Sequence, residues 1–183
     1  LVLAGRVYGP GFGFVLGNTT MFASAILTAG IGPWLPFQMM AAAWVGLGAG
    51  LLPDSLPGTS RSAKTRSGKT RGGSAIRGKA EIAMLAAYGA FSAYAFGFLM
   101  NMWFWPFAIG TETQLSFIAG AAVLDNLHRF FLYTVATSTI GWDTGRAITN
   151  CVLVVLLGPT VLATLRRSTR RAARSSWWRV RSS

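Results

Sequence analysis

Long apolar stretches with almost no charge alternate along the chain with short polar or basic segments. Residues 11–29, 36–52 and 147–165 carry no charged side chain, and residues 81–105 carry only Glu81, at their start. An α-helix rises 1.5 Å per residue, so about 20 apolar residues cross a hydrocarbon core about 30 Å thick. The pattern therefore predicts an all-α, polytopic membrane helix bundle.

The apolar stretches also predict how the chain is divided. Residues 1–8 are typical of the end of an earlier crossing, so we expect Leu1 to lie inside a helix and the natural chain to begin before it. We predict one transmembrane domain over residues 1–167, followed by a basic cytoplasmic tail, 168–183. The predicted full crossings lie at about 11–29, 36–52, 81–105 and 143–165.

Composition narrows the class of protein. The chain has 183 residues, of which 52% are hydrophobic and only 12% charged, yet its formal net charge is +12. Soluble domains usually carry about 25% charged residues. A soluble enzyme with a mixed-charge surface is therefore excluded, and so is a disordered basic chain, because 13% of the residues are aromatic. A membrane protein with basic loops and a nucleic-acid binder with an apolar core both remain.

The positions of the basic residues separate these two classes. Seven of the 17 Lys and Arg residues lie in segment 53–79 and seven more in segment 166–183. A nucleic-acid-binding domain would interleave basic residues with its folded elements. Segregated basic blocks follow instead the positive-inside rule for cytoplasmic loops. We therefore predict that loop 53–79 and the tail both lie on the cytoplasmic side, and we predict no specific nucleic-acid partner.

Residues 115–140 are long enough to cross a membrane, but polar side chains lie in their middle. Asp125, His128 and Arg129 are among them, and a charge at the centre of a spanning helix costs about 2.5–3.5 kcal/mol. A third crossing between the basic blocks would also place the tail outside. We therefore predict an external loop over 106–142, with a helix at 115–140 lying along, or dipping into, the outer face.

Small residues recur at four-residue spacing in two predicted crossings. Gly13 and Gly17 form one such pair, and Gly46 and Gly50 form another. Pairs of this kind let membrane helices approach closely. We predict close helix packing at both pairs.

Three polar and aromatic segments fall at the predicted outer ends of the helices. They are the turn after the first full crossing, the end of the third, and one face at the start of the last. Aromatic rings with a few amide and charged groups suit a planar or partly apolar solute. An interfacial anchor for Trp34 and a structural Asp143–Arg146 ion pair are the alternatives. The candidate side chains are Trp34, Gln38, Asn101, Trp103, Trp105, Asp143, Arg146 and Asn150.

No set of residues for catalysis or metal binding accompanies these segments. The chain has one His, His128, and one Cys, Cys151, so it offers neither a disulfide nor metal-ligand spacing. We predict solute binding without catalysis, metal or cofactor. Two alternatives remain: a lipid-modifying membrane enzyme using Asp125, His128 and Arg129, and a membrane-anchored structural or nucleic-acid-binding protein acting through its tail.

Several strings together carry a family resemblance. They are GIGPWLPFQM at 30–39 with Trp44 and Gly46 after it, LMNMWFWPF at 99–107 and TSTIGWDTGRAITN at 137–150. The chain resembles the substrate-binding S component of energy-coupling factor (ECF) vitamin transporters, and within that group it looks most like the cobalamin-type branch.

The resemblance implies a fold, a function and partners. It implies about six transmembrane helices in the bacterial plasma membrane, with both termini cytoplasmic; residues 1–8 would be the end of the second helix. Such a subunit captures a vitamin or precursor, cobalamin-like as the first expectation, from outside. It joins a transmembrane coupling subunit and two ABC-type ATPases, whose ATP hydrolysis is thought to topple it. Mapped onto this chain, the eight candidate side chains would line the pocket.

Overall fold

The fold is entirely helical in the part of the chain that the structure, a computed structural model, describes. That part comprises residues 1–54, 76–107 and 115–181, with side chains up to Ala172. Its α-helices are α1 (Val2–Tyr8), α2 (Pro10–Leu27), α3 (Leu35–Leu51), α4 (Lys79–Phe104), α5 (Val123–Thr134) and α6 (Thr144–Arg181). A 3-10 turn (Trp105–Phe107) ends α4, and a π-helical segment (Val135–Asp143) joins α5 to α6. The predicted all-α class is confirmed.

Three helical stretches are long and apolar enough to cross a membrane. They are Pro10–Leu27, Lys79–Phe107 and Val123–Ala172. The helix α3, with 17 residues, is apolar but shorter. All four predicted crossings are thus helical. By length and composition, however, three helical stretches rather than four are long and apolar enough to cross a membrane.

The predicted outer helix at 115–140 differs from the observed structure. Residues 115–122 are not helical, and α5 continues through the π-helical segment into α6, so one helical stretch runs from Val123 to Ala172. Its 50 residues would extend for about 75 Å, well beyond a hydrocarbon core of about 30 Å. The polar residues of α5 lie near the start of this stretch. They can therefore remain outside the hydrocarbon while the rest of the same helix crosses it.

The same helical stretch continues across the predicted boundary between the transmembrane domain, 1–167, and the tail, 168–183. The helix α6 continues through residues 167 and 168 without interruption and ends at Arg181. The division into a transmembrane domain and a cytoplasmic tail stays a prediction.

Contacts between distant residues define one end of the bundle. The Nε atom of Arg6 donates to Oε1 of Glu81 at 3.1 Å, and Nη2 of Arg166 donates to the same oxygen at 2.6 Å. The amide of Ile76 donates to the carbonyl of Asp54 at 2.8 Å, which brings together the two sides of the basic loop. We call this the basic end. Most of the predicted loop 53–79 lies outside the described residues.

The opposite end collects aromatic side chains. Phe37, in the first turn of α3, stacks on Trp103, in the last turn of α4. Trp105 lies just after α4 and contacts Phe130 in the second half of α5. The start of α3 and the second half of α5 therefore meet the end of α4. We call this the aromatic end.

Helices α2 and α3 pack closely through their glycines. A Cβ atom added to Gly13 would overlap the backbone of Gly46, and one added to Gly50 would overlap that of Pro10. Gly17 lies against the backbone of Ala42 in the same way. The predicted close packing at both glycine pairs is confirmed. Helices α1, α4 and α6 share a separate apolar core towards the basic end, formed by Leu85, Ala86, Val154 and Leu162 with Leu3 and Val7 around them.

Candidate functional site

A buried carboxylate lies at the junction of the π-helical segment and α6. Asp143 is 1% exposed, and its Oδ2 accepts a hydrogen bond from the Ser138 hydroxyl at 2.7 Å. Nη1 of Arg146 approaches Oδ1 at 3.4 Å. The carboxylate also lies against Gly97 of α4, where an added Cβ would overlap it. An ionised carboxylate away from water needs such partners, because an unpaired buried charge is costly.

The π-helical geometry brings Ser138 to Asp143. In an α-helix, side chains five residues apart point about 140° apart around the axis. A π-helix forms its backbone hydrogen bonds between residues five apart, which brings such side chains to similar directions. Thr144 shows the same spacing, since its hydroxyl donates to the carbonyl of Thr139 at 2.6 Å. The Ser138–Asp143 hydrogen bond therefore depends on this local departure from α-helical geometry.

Arg146 lies at the edge of the cluster. Its side chain is 43% exposed, and its guanidinium carbon lies 5.2 Å from the centre of the Phe96 ring. This geometry is that of a cation–π contact. In the Asp143–Arg146 pair, the carboxylate is therefore buried and the guanidinium is partly exposed to solvent.

Asn150 lies further along α6, about 10 Å from Asp143 along the helix axis. Its Nδ2 donates to the carbonyl of Gly89 on α4 at 3.1 Å. The thiol of the next residue, Cys151, lies 3.5 Å from the carbonyl of Ala86 on α4. The amide of Asn150 is thus engaged in joining α6 to α4.

Asn101 carries a buried amide nitrogen that has no hydrogen-bond partner within the described part of the chain. It lies one turn beyond Gly97 on the same face of α4. Its neighbours on that face, Phe98 and Trp105, both contact the ring of Phe130, at 5.3 Å between ring centres. Asn101 therefore faces the long helix that contains α5, the π-helical segment and α6. Leaving such a donor unpaired costs about 1–3 kcal/mol.

A second polar atom is buried without a partner among the described residues. It is the hydroxyl oxygen of Thr134, a residue one turn after Phe130. Because α4 and the long helix are antiparallel, with Gly97 against Asp143 and Trp105 against Phe130, Asn101 lies opposite the segment that starts at Thr134. A polar stripe that ends at Asp143 thus lies between two apolar helices.

The two tryptophans at the end of α4 face different neighbours. The Trp103 ring stacks on Phe37 with 3.5 Å between ring centres and 19° between planes, and it also contacts Phe107. Trp105 is buried, and its indole nitrogen donates to the carbonyl of Leu115 at 2.7 Å. The aromatic end is therefore closed by rings that pack on one another.

Trp34 and Gln38 lie at the start of α3. The Trp34 ring folds over Gly32 in the preceding turn, and the carbonyl of Trp34 accepts the amide hydrogen of Gln38 in the first turn of the helix. Both side chains are half-buried. They are at the aromatic end, on the α3 side of the Phe37–Trp103 stack.

The predicted site residues fall into three groups in the structure. Asn101 and Asp143 share the stripe between α4 and the long helix, and Arg146 lies at its edge. Trp34, Gln38, Trp103 and Trp105 form the aromatic surroundings, and Asn150 lies deeper. Sequence reasoning missed Gly97, Ser138 and Thr134. A glycine inside an apolar helix was the one available signal, because such glycines often allow a close approach.

The side chains of the alternative catalytic set lie on α5. Asp125 and His128 are exposed, and Arg129 is half-buried. Across residues 1–54, 76–107 and 115–172, no group of three His, Cys, Asp or Glu side chains is placed to hold a metal ion.

A second polar cluster, which sequence reasoning missed, lies at the basic end. Glu81 is 1% exposed, and the Arg6 side chain is 4% exposed and also donates to the carbonyl of Leu52 at 2.7 Å. A cleft of about 620 Å³ opens beside Glu81 and Arg166. This cleft lies at the opposite end of the bundle from the predicted pocket.

Comparisons of the chain with protein-family descriptions, curated proteins and solved structures find no match.

Proposed function

We propose that this chain is an integral membrane subunit that binds a small solute at its aromatic end. The observation that carries the proposal is the buried amide nitrogen of Asn101, which has no partner among the described residues and lies one turn from the Asp143–Gly97 contact. A buried donor without a partner is expensive to maintain, and a ligand that accepts its hydrogen bond would remove that cost. The membrane-embedded acid Asp143 supports the same proposal, because such residues usually mark a pathway or a binding site.

The chemistry around Asn101 indicates the class of solute. The amide donates a hydrogen bond, the Asp143 carboxylate accepts one, and the half-exposed Arg146 supplies a positive charge at the edge. Trp105, on the same face of α4 as Asn101, supplies a flat apolar surface, and Trp103 supplies another on the side of α4 that faces α3. A planar, partly apolar molecule with carbonyl or amide groups matches this set. We propose a vitamin or vitamin precursor, with a cobalamin-like molecule as the first candidate.

Entry of the solute would require the aromatic end to open. Helix α3 is packed closely on α2 through glycines, whereas it meets the end of α4 through the Phe37–Trp103 stack. Separation of these two rings would expose Trp103 at the end of α4, within one turn of Asn101 along the chain. A flat solute would restore the lost stacking, so opening and binding would be coupled.

The resemblance to S components of ECF transporters extends the proposal to partners. On this proposal the chain lies in the bacterial plasma membrane with its basic end cytoplasmic, and it passes its solute to a transmembrane coupling subunit driven by two ABC-type ATPases. The chain itself is not an enzyme. The contacts among Arg6, Glu81 and Arg166, which hold the flanks of both basic blocks at one end, support this orientation through the positive-inside rule.

The direct test is equilibrium binding of a vitamin panel, with cobalamin included, to the full chain in lipid nanodiscs. We expect one member to bind, and Asn101→Leu to weaken it about tenfold, since the lost hydrogen bond is worth about 1.4 kcal/mol. Asn18→Leu is the matched control, because Asn18 lies on α2 and donates within its own helix, to the carbonyl of Phe14. Absence of binding across the panel, or equal weakening by both variants, would reject the site.

The partner proposal has its own test. Co-expression with a coupling subunit and its two ATPases should yield a complex that co-purifies and supports uptake of the same solute. If solute binds but no complex forms and no uptake occurs, the binding site stands and the transport role is rejected.

A further inference from the structure

The cleft at the basic end combines an apolar wall with a cationic rim. It lies between α4 and α6 and has a volume of about 620 Å³, within the usual range of ligand pockets. Lys79 and Arg166 lie at its rim. Its apolar lining includes Ile82, Ala83, Val155, Pro159, Leu162 and Ala163.

The depth of the cleft matches one leaflet of a bilayer. Along α6 the lining runs from Arg166 to Val155, which is about 16 Å at 1.5 Å per residue. Half of a hydrocarbon core is about 15 Å. A molecule whose polar group lies at Arg166 would therefore extend an apolar chain to about the middle of the membrane.

The charge at the rim favours an anion. Glu81 is the one acid in the lining, and its Oε1 is already paired with both Arg6 and Arg166. The Lys79 side chain is exposed, and the Arg166 side chain is still 33% exposed. Basic pockets between membrane helices, next to basic loops, suit anionic lipid headgroups.

We propose that this cleft binds one anionic phospholipid. Its phosphate lies at Lys79 and Arg166, and an acyl chain lies along the apolar wall between α4 and α6. The bound lipid contacts both α4 and α6 at the basic end. This inference does not depend on the proposed solute site, because it involves other residues at the other end of the bundle.

The test titrates the full chain in mild detergent with phosphatidylglycerol or with phosphatidylcholine of the same acyl chains. Native mass spectrometry counts the bound lipid. We expect phosphatidylglycerol to bind more tightly, and Lys79→Gln to weaken it about fivefold, the effect of about 1 kcal/mol per basic residue. Arg170→Gln removes the same charge from an exposed position on α6 that does not line the cleft, and it should leave the affinity unchanged.

A second variant and a competitor test the apolar part of the site. Ala163→Phe fills the wall of the cleft and should abolish tight binding, and excess inorganic phosphate should fail to displace the lipid. Equal binding of the two lipids, or equal effects of Lys79→Gln and Arg170→Gln, would overturn the proposal. Displacement by inorganic phosphate would also overturn it, because the site would then recognise phosphate alone. If Ala163→Phe fails to fold, the comparison of Lys79→Gln with Arg170→Gln still tests whether the cleft binds the lipid.

Discussion

Arg166 donates a hydrogen bond from Nη2 to Oε1 of Glu81 at 2.6 Å, although 85 residues separate them in the chain. Arg6 reaches the same oxygen from the other side. One carboxylate at the start of α4 thus joins α1 and α6 at the basic end. The network is nearly buried at Arg6 and Glu81 and partly open at Arg166.

Replacing Glu81 by Gln should strongly destabilise the protein. The change removes the buried carboxylate partner of Arg6 and leaves only the exposed Asp54 carboxylate, whose Oδ1 lies 3.0 Å from Nη2 of Arg6, as its charged partner among the described residues. Breaking a buried pair costs about 3–5 kcal/mol. The open side at Arg166 places the expected loss of unfolding free energy at the lower end of that range. Thermal unfolding in detergent measures it. The comparison is Asp54→Asn, which removes the other carboxylate partner of the same Arg6. The Asp54 side chain is 95% exposed, and exposed pairs contribute about 0–1 kcal/mol, so we expect a smaller loss. Similar losses in both variants would contradict a buried network.

Gly97→Ala should disrupt the contact between α4 and the buried carboxylate. The added methyl would overlap Asp143, and overpacking of this kind costs about 1–3 kcal/mol. Gly145→Ala is the matched control, because an added Cβ at Gly145 meets nothing within 4 Å. That control should be neutral or slightly stabilising, since alanine favours helix over glycine. The comparison uses the midpoint of thermal unfolding, and a Gly97→Ala variant as stable as the control would show that the approach is not close.

Ser138→Ala should lower the free energy of unfolding, because Asp143 loses a hydrogen-bond donor. Removing the hydroxyl takes away a 2.7 Å hydrogen bond from a carboxylate that is 1% exposed, and the expected cost is about 1–3 kcal/mol. Thr137→Ala provides the control, because Thr137 is exposed and its hydroxyl donates only to the carbonyl of Tyr133 in its own helix. Denaturant unfolding followed by circular dichroism gives both values. No difference between the variants would mean that the π-helical segment does not support Asp143.

The Phe37–Trp103 stack should show a measurable coupling energy. A double-mutant cycle with Phe37→Leu and Trp103→Leu isolates the pairwise contribution, which is about 0.5–1.5 kcal/mol for aromatic pairs. If a solute enters by separating these rings, the coupling should fall when the solute is bound. A coupling near zero without solute would show that the stack does not hold α3 to α4, and a coupling unchanged by bound solute would argue against entry at this point.

Features that depend on residues close together in the chain could be predicted from the sequence, and contacts between distant residues could not. The four apolar stretches are helical and the glycine pairs of α2 and α3 pack closely, because hydrophobic length and residue size act locally along the chain. The prediction for 115–140 was incomplete for a related reason. The cost of a charge in the hydrocarbon applies to residues 115–140 only if that segment crosses the membrane by itself. The observed helix is long enough for its polar first residues to stay outside the hydrocarbon while later residues cross it.

The amino-acid sequence by itself determined an all-helical protein with helices long and apolar enough to cross a membrane, and with close glycine contacts between α2 and α3. Only the tertiary structure decided which polar groups are paired. Glu81 is paired with arginines 75 and 85 residues away, Asp143 is paired with Ser138 through a π-helical turn, and Asn101 keeps a buried amide nitrogen without a partner in the described residues. The Glu81 pairs depend on how helices approach in space, and the Ser138–Asp143 pair depends on a local π-helical turn. The α-helical periodicity along the chain encodes neither.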